Sequence, residues 1–195
     1  MLHFRPMKYI YRKFQPETDV LEPFDCGDAD LNGFLLETDQ ETPNATFFER
    51  EHLACTYIVE SNETHRIVAY FSLLNDKIDR EVADNSIWNR LSRAIPNAKR
   101  RSSYPALKVG RLAISREAQG SGIGRQILNF VQTWFYNDPK SGCRFITVDA
   151  LLSAENFYRH CDFKRLAAPS PKDETVLMFF DLKGITRQRM NLANL

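Results

Sequence analysis

The segment from residue 107 to residue 150 constrains the fold of this chain more than any other part of the sequence. Residues 107–114 form an apolar, strand-forming run, residues 120–136 carry apolar side chains at helical spacing, and residues 145–150 are again nearly all apolar. A strand, a helix and a second buried strand in this order predict two parallel strands joined by a crossover helix. We therefore expect a mixed α/β fold.

Weaker patterns place the other elements around this unit. Asp28 is a good N-cap for a helix over Ala29–Leu36, and the β-rich runs 53–59 and 67–74 predict a hairpin. The remaining predicted elements are a strand at 8–14, a short helix before His52, a helix containing Ile87, Trp88, Leu91 and Ile95 that Pro96 ends, a short helix at 154–161 and a strand at 175–182. Residues 76–106 are interpreted as a helical insertion and residues 184–195 as a polar tail, within one domain spanning residues 1–195.

Length and composition exclude several classes of protein. The 195 residues suit a single domain, and no apolar run approaches the roughly 18 residues needed to cross a bilayer. The first residues lack the pattern of a secretory leader, so we expect a cytoplasmic protein that does not interact with membranes. The cysteines (Cys26, Cys55, Cys143 and Cys161) show no Cys-x-x-Cys spacing, so neither a metal site nor a disulfide framework is expected.

A formal net charge of +1 hides an uneven distribution of charge along the chain. Residues 15–63 contain thirteen acidic side chains and only Arg50 as a basic one. Residues 85–116 contain no acidic side chain and eight basic ones: Arg90, Arg93, Lys99, Arg100, Arg101, Lys108, Arg111 and Arg116. Such a split is typical of a surface that faces an anion, and it is also found on ordinary solvated faces.

Three alternating glycines stand at the start of the predicted crossover helix, in the run Gln-Gly-Ser-Gly-Ile-Gly-Arg over residues 119–125. Glycine allows a ligand to approach the backbone closely. The first N–H groups of a helix have no intrahelical partner and lie at its positive end. The run is therefore interpreted as a phosphate or pyrophosphate site, although its spacing fits neither the Rossmann fingerprint nor the P-loop.

Together with its neighbours, this glycine run resembles the GCN5-related N-acetyltransferase (GNAT) superfamily. Residues 119–124 match the family motif Gln/Arg-x-x-Gly-x-Gly/Ala, and Leu112, Ala113 and Ile114 match the apolar strand end before it. Residues 146–150 resemble the next strand of the family, and residues 157–163, Phe-Tyr-Arg-His-Cys-Asp-Phe, resemble its Phe-Tyr-x-x-x-Gly-Phe segment. The four pieces agree in spacing and span residues 107–165.

The resemblance implies a mixed, mostly antiparallel sheet in which a parallel strand pair, flanked by helices, splays apart around acetyl-CoA. The backbone of Leu112, Ala113 and Ile114 would pair with the pantetheine arm of this co-substrate. The implied cofactor-binding residues of the loop are Gln119, Gly120, Ser121, Gly122, Ile123, Gly124 and Arg125. Tyr158 is implied as the catalytic acid that protonates the leaving thiolate, because a phenol with a pKa near 10 is protonated where a thiol near 8.5 is not. On its position alone, Tyr158 also fits a core aromatic of a short helix.

The sequence departs from the family pattern at three places. Leu151 and Leu152 stand where many members have an asparagine that bonds the pantetheine, so that role is assigned to no residue of this chain. Asp162 stands where family members usually have glycine, which is expected to change the turn after the short helix. Residues 108–115 contain no carboxylate, whereas some members carry a glutamate there as the general base. Proton removal from the amine then falls to water, a backbone carbonyl or another carboxylate. Asp149 is one candidate, but an aspartate at a strand end is more often structural.

The N-terminal half narrows the resemblance to one branch of the superfamily. Residues 24–35, Phe-Asp-Cys-Gly-Asp-Ala-Asp-Leu-Asn-Gly-Phe-Leu, resemble the Phe-x-Cys-Gly-x-x-x-Leu-x-x-Phe/Trp-Leu segment of that branch. The branch includes the acetyltransferase toxins of toxin–antitoxin modules, which acetylate the amino acid on charged tRNA. It also includes many free-standing acetyltransferases.

We interpret the chain as an acetyl-CoA-dependent N-acetyltransferase that modifies a primary amine of a small molecule, a protein or an aminoacyl-tRNA. One alternative is a toxin-type enzyme with an antitoxin partner, in which residues 90–111 would hold tRNA phosphates. The same residues would serve equally well for the phosphates of CoA. The pKa of an α-amine, near 8 against 10.4 for lysine, weakly favours an α-amine acceptor when no strand carboxylate is present. A second alternative is a non-catalytic CoA-binding domain, against which the glycine loop and Tyr158 argue together. Homodimers are common in the family, and the sequence leaves the oligomeric state open.

Overall fold

In the computed structural model of the protein, the described residues are 8–19, 21, 24–37, 42–93, 95–139 and 141–185. They form seven strands: β1 (Tyr9–Lys13), β2 (Cys55–Ser61), β3 (Ile67–Asp79), β4 (Ser103–Ile114), β5 (Phe145–Leu151), β6 (Lys164–Arg165) and β7 (Thr175–Asp181). They also form five α-helices: α1 (Ala29–Leu36), α2 (Ala45–Arg50), α3 (Asn85–Arg93), α4 (Ile123–Asn137) and α5 (Glu155–His160). Hydrogen bonds join the strands in the order β1-β2-β3-β4-β5-β7-β6, which confirms the predicted mixed α/β class. None of the helices in these ranges is long and apolar enough to cross a membrane.

The chain divides into two compact units. The described part of the first unit lies within residues 8–74 and 109–127, and that of the second within residues 75–108 and 128–185. Strands β3 and β4 and helix α4 each continue from one unit into the other. Residues 1–7 and 186–195 of the predicted domain, and with them most of the predicted polar tail, lie outside the described residues.

In the first unit, the strands β1, β2 and β3 are antiparallel, and α1 packs on β2 and β3. The helix begins where the sequence predicts, because the Asp28 side chain accepts a hydrogen bond from the Leu31 N–H at 3.0 Å. Phe34 and Leu35 of α1 are buried in a core cluster with Tyr70 of β3. The Tyr70 hydroxyl donates to the carbonyl of Leu31 at 2.6 Å, so the polar end of this buried ring has a partner.

In the second unit, residues 106–108 of β4 pair in parallel with residues 145–147 of β5, which confirms the predicted parallel pair. Strand β7 runs antiparallel to β5 along the whole of both strands, and the short β6 pairs with β7. The core cluster of this unit is formed by Ile78, Ala83, Trp88, Leu91, Ala106, Phe145, Leu166 and Phe179. Helix α3 therefore packs on the face of the sheet to which Phe145 contributes.

The predicted helical insertion at 76–106 is shorter than expected. Strand β3 extends to Asp79 and β4 begins at Ser103, so α3 and a short 3₁₀ turn at Asn97–Lys99 make up its helical part. Ile78 and Ala106, near the two strand ends, are 0% and 4% exposed. Because these side chains are buried, β3 and β4 extend further than the sequence predicts. The polar residues of the segment had indicated that the sheet ends earlier.

The helix predicted from Gly120 begins three residues later, at Ile123. Gly120 and Gly122 have φ angles of 75° and 83°, in the left-handed region that a right-handed helix excludes. The glycine run is therefore a loop that ends at the first turn of α4.

Candidate active site

The glycine run forms an exposed loop between β4 and α4. The left-handed φ angles of Gly120 and Gly122 favour glycine, because other residues meet steric clashes there. A Cβ atom added at either position would have no heavy atom of the described residues within 4 Å. These positions therefore require glycine because of their backbone conformation and not because neighbouring atoms leave no space for a side chain. The outer side of the loop is open.

The first turn of α4 presents backbone N–H groups without partners. The first helical hydrogen bond is donated by the Gln126 N–H to the Gly122 carbonyl at 3.2 Å. Within the described ranges, no acceptor is present for the N–H groups of Ile123, Gly124 and Arg125. These donors, the helix dipole and the exposed Arg125 guanidinium together suit a phosphate group.

Gln119 and Ser121 use their side chains inside the protein. Gln119 Nε2 donates to the Ile114 carbonyl at 3.0 Å and to the Cys26 carbonyl at 2.8 Å. Ser121 Oγ donates to the Ala118 carbonyl at 2.5 Å. These two predicted cofactor-binding side chains therefore shape the loop, and the donors open to a ligand belong to the backbone.

Leu112, Ala113 and Ile114 form the last part of β4, directly before the loop. Ala113 is 2% exposed in the core of the first unit, and its two neighbours are half-buried. The Ser115 N–H donates to the Val68 carbonyl at 2.9 Å, so the end of β4 stays hydrogen-bonded to β3. All predicted cofactor-binding residues thus lie on one strand end, one loop and one helix start of the first unit.

The segment before α1 contacts the glycine loop, which the sequence analysis did not predict. The Arg116 N–H donates to the Asp25 carbonyl at 2.9 Å, and Arg116 Nε lies 2.9 Å from Asp25 Oδ2. Cys26 accepts the hydrogen bond from Gln119 across 93 residues of sequence. The Phe-Asp-Cys-Gly motif is the signal of this contact, but a single sequence does not show which segments meet.

Tyr158 lies in α5, in the second unit, and is 8% exposed. Its ring contacts Phe157 and Phe163 edge-to-face, with centroids 5.0 and 5.7 Å away. Burial, with a smaller effect of the Cys161 thiol, raises the pKa of Tyr158 to about 12. Among the residues that the structure describes, none accepts a hydrogen bond from its hydroxyl. Packing therefore fixes the ring, while the phenol is protonated at neutral pH and has no acceptor within the described part of the chain.

Helix α5 is fixed at both ends. Glu155 accepts hydrogen bonds from Arg165 at 2.6 and 2.7 Å and from Arg159 at 2.7 Å. The bonds from Arg165 and then from Arg159 lower the pKa of Glu155 to about 2. At the other end, Gln132 Nε2 of α4 donates to the Cys161 carbonyl at 3.3 Å. These contacts set the position of the helix that carries the predicted catalytic tyrosine.

Asp162 replaces the family's glycine in the turn after α5. Its φ angle is 64°, in the left-handed region, which aspartate tolerates better than most residues. The Phe163 N–H donates to the Tyr158 carbonyl at 3.0 Å and closes the end of the helix. The turn thus keeps the left-handed residue that glycine would supply, and the replacement changes it less than the sequence suggests.

Two carboxylates lie beside the last paired residues of β4 and β5. Asp149, the candidate base, forms an ion pair with Lys108, with Oδ2 and Nζ 2.5 Å apart. Asp76 of β3 accepts a hydrogen bond from the buried Thr147 hydroxyl at 2.5 Å, a contact with no signal in the sequence. In the described part of the chain, no group of three or more His, Cys, Asp or Glu side chains is arranged to hold a metal ion.

The basic residues of the predicted run have several different roles. Lys108 and Arg116 form the ion pairs described above. The guanidinium of Arg111 lies 3.8 Å from the ring centroid of Phe34, in a cation–π contact. Arg100 Nε donates to the carbonyl of Ser92 at the end of α3 and to that of Ile95 just after the helix. The run is therefore not one continuous surface for an anion.

A hollow of about 660 Å³ in the second unit brings other cations together. Arg90 of α3, Lys164 of β6 and Lys183 after β7 contribute to its lining. Arg144 and Asp181 in its wall pair with each other, with Nη2 and Oδ2 2.5 Å apart. The lining also includes Asp162, but the structure records no ion pair between a described carboxylate and these three cations, so the hollow suits phosphate groups.

Comparison with known proteins identifies the class of enzyme. A family model for the acetyltransferase (GNAT) domain matches residues 53–165, more than half of the chain. The matched part includes the glycine loop, the parallel strand pair and Tyr158. The chain therefore belongs to the GNAT acetyltransferase family, as its motifs predict. The protein is an N-acetyltransferase.

Solved structures with the same fold include acetyltransferase toxins. A tyrosine-to-phenylalanine variant of KacT superposes with a TM-score of 0.72 at 22% identity, covering 95% of this chain and 99% of that one. AtaT complexed with acetyl-methionyl-tRNAfMet gives 0.70 at 23% identity, covering 90% and 95%. AtaTR bound with AcCoA gives 0.69 at 22% identity, covering 96% and 99%. At these identities the likeness establishes the fold over nearly the full length of each chain.

Proposed function

We propose that the protein transfers the acetyl group of acetyl-CoA to a primary amine and holds the CoA pyrophosphate at its glycine loop. The observation that carries this proposal is the first turn of α4. There the N–H groups of Ile123, Gly124 and Arg125 have no partner in the described ranges. The backbone of residues 112–114 would pair with the pantetheine arm, as the family resemblance implies.

Acetyl transfer forms one bond and breaks another. The amine nitrogen attacks the thioester carbonyl carbon, the C–N bond forms, the C–S bond breaks and CoA leaves as a thiolate. Tyr158 would donate its phenolic proton to the sulfur, and the proton lost by the amine would pass to solvent, from which the phenol recovers its own. Its pKa of about 12 supports this role, because an acid must hold its proton at the working pH.

A more specific candidate acceptor is the α-amine of an aminoacyl-tRNA. The likeness to KacT and AtaT over at least 90% of this chain favours it, because one AtaT structure is a complex with acetyl-methionyl-tRNAfMet. The hollow with Arg90, Lys164 and Lys183 would supply positive charge for RNA phosphates. An α-amine also loses its proton more easily than lysine, which suits a site in which Asp149 is engaged by Lys108.

The same likeness suggests protein partners. One solved structure is of AtaT bound to the C-terminus of the antitoxin AtaR and acetyl-CoA, and another is of a KacTA–DNA complex. By analogy, this chain would bind an antitoxin protein, and it would form the homodimer that is common in the family. It would act in the cytoplasm, where acetyl-CoA and charged tRNA are both present.

Induced expression in a bacterial host tests both candidates. We expect the wild type to arrest growth and to leave acetyl groups on charged tRNA, whereas Tyr158→Phe at equal expression does neither. Normal growth, together with acetylation of another amine, would reject the tRNA candidate and retain the general proposal. Purified protein that transfers acetyl to no amine in a panel of small molecules, peptides and charged tRNA would contradict both.

A further inference from the structure

We infer that residues 24–27 position the pyrophosphate loop, with Asp25 as the central positioning residue. This inference rests on the proposed function, because it gives a task to the loop that would bind CoA. It concerns the Phe-Asp-Cys-Gly motif, to which neither the fold nor the acetyl-transfer chemistry assigns a role.

Two residues just before the glycines are attached to this segment. Arg116 is held by Asp25 through a backbone hydrogen bond and an ion pair, both at 2.9 Å. Gln119 is held by the Cys26 carbonyl at 2.8 Å. The chain therefore enters the loop from two points fixed on a different part of the first unit.

The segment itself is rigidly connected to the core. Asp25 Oδ1 accepts hydrogen bonds from the Gly27 N–H at 2.7 Å and from Asn32 Nδ2 at 2.9 Å. The Cys26 N–H donates to Asn32 Oδ1 at 2.9 Å. Asn32 belongs to α1, and Phe24 is 3% exposed in the same core cluster as that helix. The core, the segment and the loop thus form one chain of contacts.

Gly27 fits this arrangement in two ways. Its φ angle is 89°, in the left-handed region. A Cβ atom at this position would lie 3.1 Å from Arg116 Nε and 3.3 Å from Arg116 Nη2. Any side chain here would press on the guanidinium that Asp25 holds, so glycine keeps Arg116 in place.

The ion pair between Arg116 and Asp25 is exposed, which indicates that it positions the loop and contributes little to the stability of the fold. The side chains of Arg116 and Asp25 are 66% and 59% exposed, and ion pairs this exposed contribute little to folding. Gly120 and Gly122 have no packing contacts at their Cβ positions to fix the loop. Backbone donors must converge on an anion to bind it well, so the contacts before the loop determine its affinity for the anion.

Calorimetry with Asp25→Asn tests the inference. The amide keeps an oxygen for Gly27 and Asn32 but loses the charge that faces Arg116. We expect the Kd for acetyl-CoA to rise about two- to fivefold, the equivalent of one exposed ion pair, and the Tm to stay within about one degree. S-acetyl-pantetheine, which lacks the pyrophosphate and nucleotide, should bind equally well to both proteins.

Two further variants complete the test. Gly27→Ala should weaken acetyl-CoA binding in the same way, because it displaces Arg116 and leaves Asp25 intact. Asp30→Asn, which removes an equal charge from an exposed position on α1, should leave the Kd at the wild-type value.

The outcomes separate this inference from the proposed function. Tight acetyl-CoA binding that is unchanged in Asp25→Asn and Gly27→Ala would overturn the inference and leave the pyrophosphate site standing. An equal loss of S-acetyl-pantetheine affinity would also overturn it, because the effect would then not act through the pyrophosphate. Wild-type protein that binds acetyl-CoA no better than S-acetyl-pantetheine would contradict the pyrophosphate site itself, and the inference with it.

Discussion

The buried environment of Tyr158 favours packing of its ring but makes its phenol a weaker acid. Burial against Phe157 and Phe163 fixes the ring, and it raises the pKa of the phenol to about 12. A stronger hold on the proton makes a weaker acid, and transfer to a thiolate with a pKa near 8.5 in water is uphill by roughly three and a half pKa units. A thiolate in the same apolar site would also have a raised pKa. We therefore expect a rate contribution near the lower end of the usual 10²–10⁴ range.

The pKa of Tyr158 predicts the alkaline side of the pH–rate profile. Because the proposed acid must be protonated to act and its pKa is raised to about 12, its contribution should persist up to about pH 11, well above the ordinary tyrosine value near 10. Single-turnover rates of wild type and Tyr158→Phe between pH 7 and about pH 10.5 check this: the ratio of the two rates should be constant. A ratio that collapses with a midpoint near pH 9 would mean that the phenol titrates lower and is not the buried acid described here.

Substitution of Gly122 tests the proposed role of the glycine loop in acetyl-CoA binding. Gly122→Val would place a β-branched residue at a φ of 83°, which costs of order 1–3 kcal/mol in unfolding free energy. It would also put a side chain on the open face of the loop, where the anion must approach. We expect calorimetry to detect no acetyl-CoA binding by the folded variant. Gly142→Ala, at an open position without a left-handed φ, is the matched control, and equal affinity in all three proteins would refute the loop assignment.

At the scale of elements, α5 depends on Glu155. The pKa of this carboxyl is lowered to about 2 by Arg165 and Arg159, against about 4.3 in an unfolded chain. Its stabilisation is therefore fully present above about pH 5 and is lost as the pH falls towards 2. Glu155→Gln should have a lower Tm than wild type at pH 7, and the difference should shrink between about pH 5 and pH 2. Glu174→Gln, at an exposed site, should show no such difference; a Tm gap for Glu155→Gln that is independent of pH would contradict the ion-pair account.

Local sequence signals predicted most helices and strands. The features that the sequence did not predict depend on backbone conformation and on contacts between distant residues. The Asp28 cap predicted the start of α1 and apolar spacing predicted its extent, while the apolar runs predicted the parallel pair of β4 and β5. The start of α4 was misplaced because glycine spacing does not reveal the left-handed φ of Gly122.

For the candidate site as well, short sequence motifs could be read from the sequence, whereas contacts between distant residues could not. The glycine motif located the loop between β4 and α4, and the aromatic motif located Tyr158 in α5, because each is a short continuous segment; the roles of both stay predictions. The contacts of Arg116 with Asp25 and of Arg100 with the end of α3 could not be predicted, since charge alone does not show which partner a guanidinium finds.

At the scale of the whole molecule, the position of the cations predicts how a polyanionic acceptor would bind. Reversal of Arg90 and Lys183, which line the hollow of the second unit, should weaken binding of charged tRNA. It should also reduce the slope of log Kd against log salt by about one per lost phosphate contact. Filter binding across a salt series measures both quantities. Lys172→Glu, an exposed cation that does not line the hollow, is the control; identical salt slopes in all proteins would show that the hollow does not contact RNA.

The central claim is that the protein moves acetyl from acetyl-CoA to an amine and that Tyr158 protonates the departing thiolate. Release of the CoA thiol under single-turnover conditions tests it most directly, with aminoacylated tRNA, deacylated tRNA and no tRNA compared for wild type and Tyr158→Phe. If aminoacyl-tRNA is the acceptor, we expect rapid release by the wild type only with aminoacylated tRNA, and release by the Phe variant that is at least about a hundredfold slower. Release by the Phe variant within about threefold of wild type would remove Tyr158 from the mechanism, and equal release with and without the aminoacyl group would contradict transfer to its amine.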